Sequence, residues 1–196
     1  MYLNANKSNC YRLSPTPPFT VHKACARGVA CMPLIHVLFY APNPDDHFLN
    51  HIVTRYDPPY SHCDVQFEDG MASSVFQYET VYWRKRNFGK PGYKRISLSV
   101  SHPDYTKAYR LCQERASQGF AFDAIGMYTL PLPSSMQYER DGFTFCSKHC
   151  TEVLQLARVR AVGSLIAKSV TPSALHDALQ GAAVVHTDRL ADLRIM

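Results

Sequence analysis

The chain has 196 residues, of which 46% are hydrophobic, and a formal charge of +5. This suits one globular domain with a substantial core, and the modest charge permits an anionic partner without demanding one. The opening MYLNANKSNC has no apolar core of signal-peptide length, and no stretch reaches the ~18 apolar residues of a membrane span.

The seven cysteines are odd in number and fall in no paired, regular spacing. The expectation is a cytoplasmic, intracellular protein with reduced thiols, which are free to do chemistry.

Residues 1–31 carry Ser14-Pro15-Thr16-Pro17-Pro18, scattered basic residues and no clear period. They read as a flexible N-terminal arm, and residues 32–196 as the domain. Leu34 to Tyr40, LIHVLFY, is apolar enough for a central strand. Asp45 or Asp46 can cap a short helix whose face is Phe48, Leu49, Ile52 and Val53, and Pro58-Pro59 ends it. Ser61 to Glu79 reads as a hairpin about Asp69-Gly70, a favoured two-residue turn. Trp83 to Arg95 mixes basic and aromatic side chains, and Tyr93 to Val100 alternates as a strand. Pro103 opens a helix that runs to about Gln118, with Tyr105, Ala108, Leu111, Cys112 and Ala116 inward. Phe120 to Tyr128 suggests a short helix, and a proline-rich loop follows at 131–135.

Gly142 to Ala157 carries the strongest chemical signal. Cys146, Cys150, Val153, Leu154 and Ala157 share one face of a helix, with Lys148, Glu152 and Gln155 turned away. Cys146 falls in the first turn, where unpaired N–H groups and the positive end of the dipole favour a thiolate. Gly163 is expected to break this helix, and Thr171-Pro172-Ser173 starts a last one with Leu175, Ala178 and Leu179 apolar.

A catalytic thiolate needs a base, usually histidine. His62 is the best placed of nine, because it opens a strand directly after the Asp57-Pro58-Pro59-Tyr60 turn. Asp64 shares its face and is the first choice to orient the imidazole. With Glu68 paired to Met71, Gln77 would lie opposite His62 and Ser73 further along the same face. Those two stand behind Asp64 as orienting candidates.

Two segments carry a family resemblance. PYSHCDVQFEDGMASS, from Pro59 to Ser74, resembles a strand motif in which Ser-His and an acid precede Asp-Gly and serines. FTFCSKHCTEVL, from Phe143 to Leu154, resembles the FxCSxxxxEVL helix start. Together they resemble the circularly permuted NlpC-type papain-like hydrolases, including the YiiX-like proteins and, more distantly, the lecithin retinol acyltransferase group. Histidine precedes cysteine, as in that permuted branch. FAFDAIGMY resembles the family's Tyr-Asp segment with Phe122 in place of tyrosine, and TPSALHDAL resembles its closing helix. The resemblance spans about 33–179.

The resemblance implies an α+β fold, with a small antiparallel sheet packed against helices. It implies a Cys-His hydrolase or acyltransferase acting on an amide, ester or thioester of a peptide-like or lipid substrate. Cys146 would be the nucleophile and His62 the base; the third residue does not transfer cleanly from the family. Backbone N–H groups at the start of the Cys146 helix would hold the oxyanion, and 120–128 with 131–135 would wall the cleft. Cys63 departs from the family's aliphatic residue and Lys148 from its acid. Lys148 there would favour the thiolate or merely be solvated. Family members occur in bacteria and large DNA viruses, so a virion-associated protein is one expectation.

The sequence offers two rival readings. His47 and His51 are four apart, but HFLNH lacks the zinc-protease glutamate and no CxxC pair exists, so no metal or cofactor is expected. Arg84, Lys85, Arg86, Lys94 and Arg95 form a candidate patch for an anionic partner. With that patch, an idle papain-like scaffold serving binding or assembly is the alternative function.

Overall fold

The computed structural model describes residues 32–46 and 48–182. The expected arm over 1–31 and the His47 side chain lie outside them. Five strands form one antiparallel sheet. β1 (Leu34–Tyr40) is the apolar LIHVLFY run, and β2 (His62–Phe67) is central and buried along its whole length. β3 (Met71–Ser74), β4 (Tyr82–Lys85) and β5 (Tyr93–Ser99) complete the order β4-β3-β2-β1-β5. The helices are α1 (Phe48–Tyr56), α2 (His102–Ser117), α3 (Ala124–Tyr128), α4 (Cys146–Leu156) and α5 (Pro172–Gln180). A short parallel pair, β6 (Ala121–Phe122) and β7 (Phe143–Thr144), leads into α3 and α4. The domain is therefore mixed α+β. None of the described helices is long and apolar enough to cross a membrane.

Alternation along the strands sorts the two faces. Cys63, Val65 and Phe67 of β2 join Ile35, Val37 and Phe39 of β1 in the main core, under Tyr105, Ala108 and Cys112 of α2 and Cys150, Val153 and Leu154 of α4. The opposite face gathers Leu38, Ala72, Tyr82 and Phe88, with Phe76 and Tyr93 against them. β2 is covered on both sides, which is why its polar His62, Asp64 and Gln66 are also buried.

The hairpin register differs from the sequence expectation. Val65 pairs with Ser73 and Gln66 with Ala72, one residue away from the register that sets Glu68 against Met71. The turn takes an extra residue. Gly70 adopts φ +80, its N–H reaches the Phe67 carbonyl at 2.9 Å, and Asp69 Oδ1 accepts the Met71 N–H at 3.0 Å. A slip of one residue sends every side chain of a strand to the other face. Ser73 thus points to the helix side, and Phe76 rather than Gln77 meets His62.

α4 also ends earlier than expected. It stops at Leu156, and Arg158 adopts the left-handed conformation at φ 57. The Arg158 N–H returns to the Gln155 carbonyl at 2.9 Å and the Val159 N–H to the Leu154 carbonyl at 3.0 Å. This is a Schellman cap with arginine where glycine is usual. Gly163 instead closes a short 3-10 turn over Arg160–Val162. The left-handed conformation costs a non-glycine residue about 1–2 kcal/mol. Arg158→Gly is expected to raise unfolding free energy by about 1 kcal/mol, read from urea midpoints. A loss of stability would mean that the exposed Arg158–Asp104 pair, at 3.6 Å, outweighs the backbone term.

α5 fastens the turn that precedes β2. Thr171 caps the helix by accepting the Ala174 N–H at 3.1 Å, and its hydroxyl donates to the Asp57 carboxylate. Ser173 Oγ donates to the Asp57 carbonyl at 2.9 Å and accepts the Tyr60 N–H at 3.2 Å. Tyr60 and His176 join through the phenol and Nε2 at 3.3 Å. His62 starts its strand from this held turn.

Candidate active site

Cys146 opens α4, with Phe145 as the N-cap and no side-chain capping bond. The N–H groups of the first turn therefore face no competing side-chain acceptor. The helix packs on β2, which brings Cys146 to the rim of the sheet at His62. The two side chains line the same cavity, and each shifts the charge state of the other. Each residue is 8% exposed, so the pair is nearly dry but reachable through that cavity.

The environment favours the charged pair. A hydrogen bond from Cys63 holds the Cys146 thiol well below the usual thiol range, against burial, and the His62 imidazolium adds to it. Burial by itself lowers the His62 pKa. The Asp64 carboxylate and the Cys146 thiolate overcome it and push the imidazole up to about 10. Cys63 and Cys150 lie beside Cys146, and Cys63 is itself pushed up, first by burial.

Asp64 is the residue that orients the ring. Its carboxylate is fully buried, and Oδ1 accepts from His62 Nε2 at 3.3 Å. The same oxygen accepts from Arg86 Nη1 at 3.1 Å and from the Tyr82 hydroxyl. Arg86 also donates to the Tyr82 oxygen at 2.9 Å and lies over the rings of Phe76 and Phe88. Phe76 stacks on the imidazole, with centroids 4.5 Å apart and planes 16° from parallel. The ring is thus fixed by a carboxylate at its edge and an aromatic plane on its face. Sequence reading missed Tyr82, Arg86 and Phe76. Tyr82 and Arg86 fall four apart across β4 in a run whose basic content masks it as a strand.

The other two orienting candidates are elsewhere. Ser73 Oγ meets His149 Nε2 at 2.9 Å on the helix side of the sheet. Arg115 donates to Nδ1 of that histidine at 3.3 Å, and burial, with Arg115, lowers its pKa to about 3. His149 is a neutral core residue. Gln77 lies at the cavity mouth, where Nε2 donates to Tyr128 Oη at 3.4 Å. Lys148 is only 5% exposed and pairs with Glu139 at 2.7 Å, so it neither faces solvent nor serves the thiolate. The basic run divides. Arg84 and Lys85 lie on β4 and Lys94 and Arg95 on β5, at opposite edges of the sheet, while Arg86 turns inward to Asp64. The five side chains do not make one surface. Among the described residues no group of three or more His, Cys, Asp or Glu is arranged to hold a metal ion.

The cavity measures about 190 Å³. Phe76, Gln77, Phe122, Met127 and Tyr128 are among its walls. The expected wall at 120–128 is there; none of the lining residues comes from 131–135. Asp123 holds that wall by capping α3 through the Gly126 N–H at 2.9 Å. A Cβ on Gly126 would stand 2.5 Å from Asp123 Oδ2 and 2.8 Å from its Cγ. Gly126→Ala must break this cap, and is expected to cost about 1–2 kcal/mol of unfolding free energy. Unchanged thermal unfolding would show that the loop yields without cost.

The charged pair also sets a pH dependence. The raised His62 pKa contributes stability that is complete below its ordinary 6.5 and lost as pH rises through about 10. The depressed Cys146 pKa contributes stability present above its ordinary 9.0 and lost as pH falls through the lowered value. Between pH 6.5 and 9.0 the slopes cancel, because folding moves one proton from thiol to imidazole. The stability difference between the native protein and a Cys146→Ser/His62→Gln double variant is expected to be flat there and to shrink on both sides. A steep slope within that window would remove the ion pair.

Comparison with protein-family models, curated proteins and solved structures returns no match.

Proposed function

We propose that the chain is a thiol-dependent hydrolase or acyltransferase on a permuted papain-like fold. The observation that supports this best is that Cys146 and His62 line one cavity, with the His62 ring held from behind by the buried Asp64. The order of the residues, histidine on an early strand and cysteine on a late helix, fits the permuted NlpC-type resemblance.

In this reading the Cys146 thiolate attacks a carbonyl carbon of an amide, ester or thioester. The C–S bond forms as the carbonyl π electrons move to oxygen. N–H groups at the head of α4 receive that oxyanion. His62, with Nε2 held by Asp64, delivers its proton from Nδ1 to the leaving group as the tetrahedral centre collapses to an acyl-enzyme. Water, or an amine or alcohol, then gives a proton back to His62 and takes the acyl group. Asp64 keeps the ring oriented and stabilises its cation throughout.

The test is turnover of an amide, ester and thioester panel by the native protein, Cys146→Ala and His62→Ala, with acyl-enzyme trapped for intact-mass measurement. Turnover and an acyl adduct in the native protein alone are expected. Equal turnover by all three would remove the assignment and leave the scaffold as a binding module.

A further inference from the structure

We infer that the cavity beside Cys146 is a specificity subsite for one uncharged apolar group, of about the size of a benzene ring or a branched four- or five-carbon chain. The inference rests on the proposed nucleophile and adds to it the chemistry of the substrate.

Five of the walls are aromatic: Tyr40, Phe76, Tyr93, Phe122 and Tyr128. Val75 and Met127 add aliphatic surface, and the polar members Asn50, Ser61 and Gln77 carry no charge. Among the described residues no carboxylate, ammonium or guanidinium lines the space. The imidazolium there is matched by the thiolate, so it offers no free charge to a ligand. Nearby ionic groups are already engaged: Arg86 with Asp64, and Asp46 with the Tyr40 hydroxyl. A charged group entering this space would lose its hydration and meet no opposite charge to offset the loss.

Volume sets the size. An apolar cavity of about 150 Å³ accepts benzene. The 190 Å³ here admits one such group and is too small to hold a long acyl chain. Aromatic walls around a flat or branched apolar group also supply most of the area that gives small sites their affinity.

The experiment uses chloromethyl ketones that share one electrophile and differ in one substituent: benzyl, isobutyl, carboxyethyl or aminobutyl. Iodoacetamide serves as a reference that needs no subsite. Labelling of Cys146 is followed by intact mass on the full chain. The benzyl and isobutyl reagents are expected to label at least about tenfold faster than the two charged ones, each rate taken relative to iodoacetamide. Met127→Lys places an ammonium in the wall and is expected to shift the preference toward the carboxyethyl reagent. Circular dichroism checks that this variant is folded, and Met127→Gln, which removes apolar surface without charge, gives a second reading of the same wall. Equal rates for all four reagents, or faster labelling by a charged one, would overturn the subsite while leaving the nucleophile intact. Failure of every reagent, iodoacetamide included, would overturn both.

Discussion

Replacing His62 with alanine is expected to slow alkylation of Cys146 at pH 7 on the order of tenfold, and to change the shape of its pH profile. In the native protein the thiol sits well below its usual range, with hydrogen bonding by Cys63 first and the imidazolium adding to it. Its reaction with iodoacetamide is therefore expected to be flat through neutrality and to fall only in acid. An ordinary thiol is about 3% ionised at pH 7; without the cation the Cys146 thiol moves back toward that range, with the Cys63 hydrogen bond still opposing the move, and should react more slowly at pH 7 and faster toward pH 9. Part of the difference is offset because a more basic thiolate is a better nucleophile. Stopped-time alkylation read by mass, from pH 5 to 9, checks this. A native rate that climbs steadily from pH 6 to 8, like that of a free thiol, would remove the ion pair and with it the mechanism.

The largest effect on the fold is expected at Asp64. Asp64→Ala leaves Arg86, with 22% of its side chain exposed, beside a vacated anion site. Breaking one side of a buried pair costs about 3–5 kcal/mol, and the partial exposure of Arg86 places this near the lower bound. That is a large part of the total stability of a domain this size. Asp64→Asn keeps the shape but removes the charge that raises the His62 pKa, and is expected to lower turnover by up to about 10⁴-fold. Pairing it with Arg86→Met separates the two roles. The double variant should regain stability, because no uncompensated charge remains, yet stay slow. Recovery of rate together with stability would make Asp64 a structural residue only. Denaturant midpoints and single-turnover rates on the same samples supply both readings.

The elements that sequence made legible are those with strong local signals. The unbroken LIHVLFY run is β1 to the residue. Pro103 starts α2, and Thr171 and Pro172 start α5, as read from their helix-start chemistry. Element type and the family resemblance pair Cys146 with His62 in the sequence, and the two line one cavity. The hairpin register was not. An Asp-Gly pair serves a two-residue or a longer turn, and β2 is buried on both faces, so alternation could not choose between registers. That single slip exchanged Ser73 and Gln77 for Phe76. Arg86 was read with its basic neighbours because a cation under a carboxylate looks in sequence like one on a surface. Only the pairing of β3 with β4 places it at Asp64. Lys148 was misread for a similar reason, since its partner Glu139 lies on a loop without periodicity.

The clasp between α5 and the Asp57–Tyr60 turn has a consequence for how the protein comes into being. His62 emerges early in synthesis and Cys146 much later, and the hydroxyls of Thr171 and Ser173 that steady the imidazole's strand come later still. A nascent chain still tethered to the ribosome short of those two residues holds both reactive groups without the brace that keeps them in register.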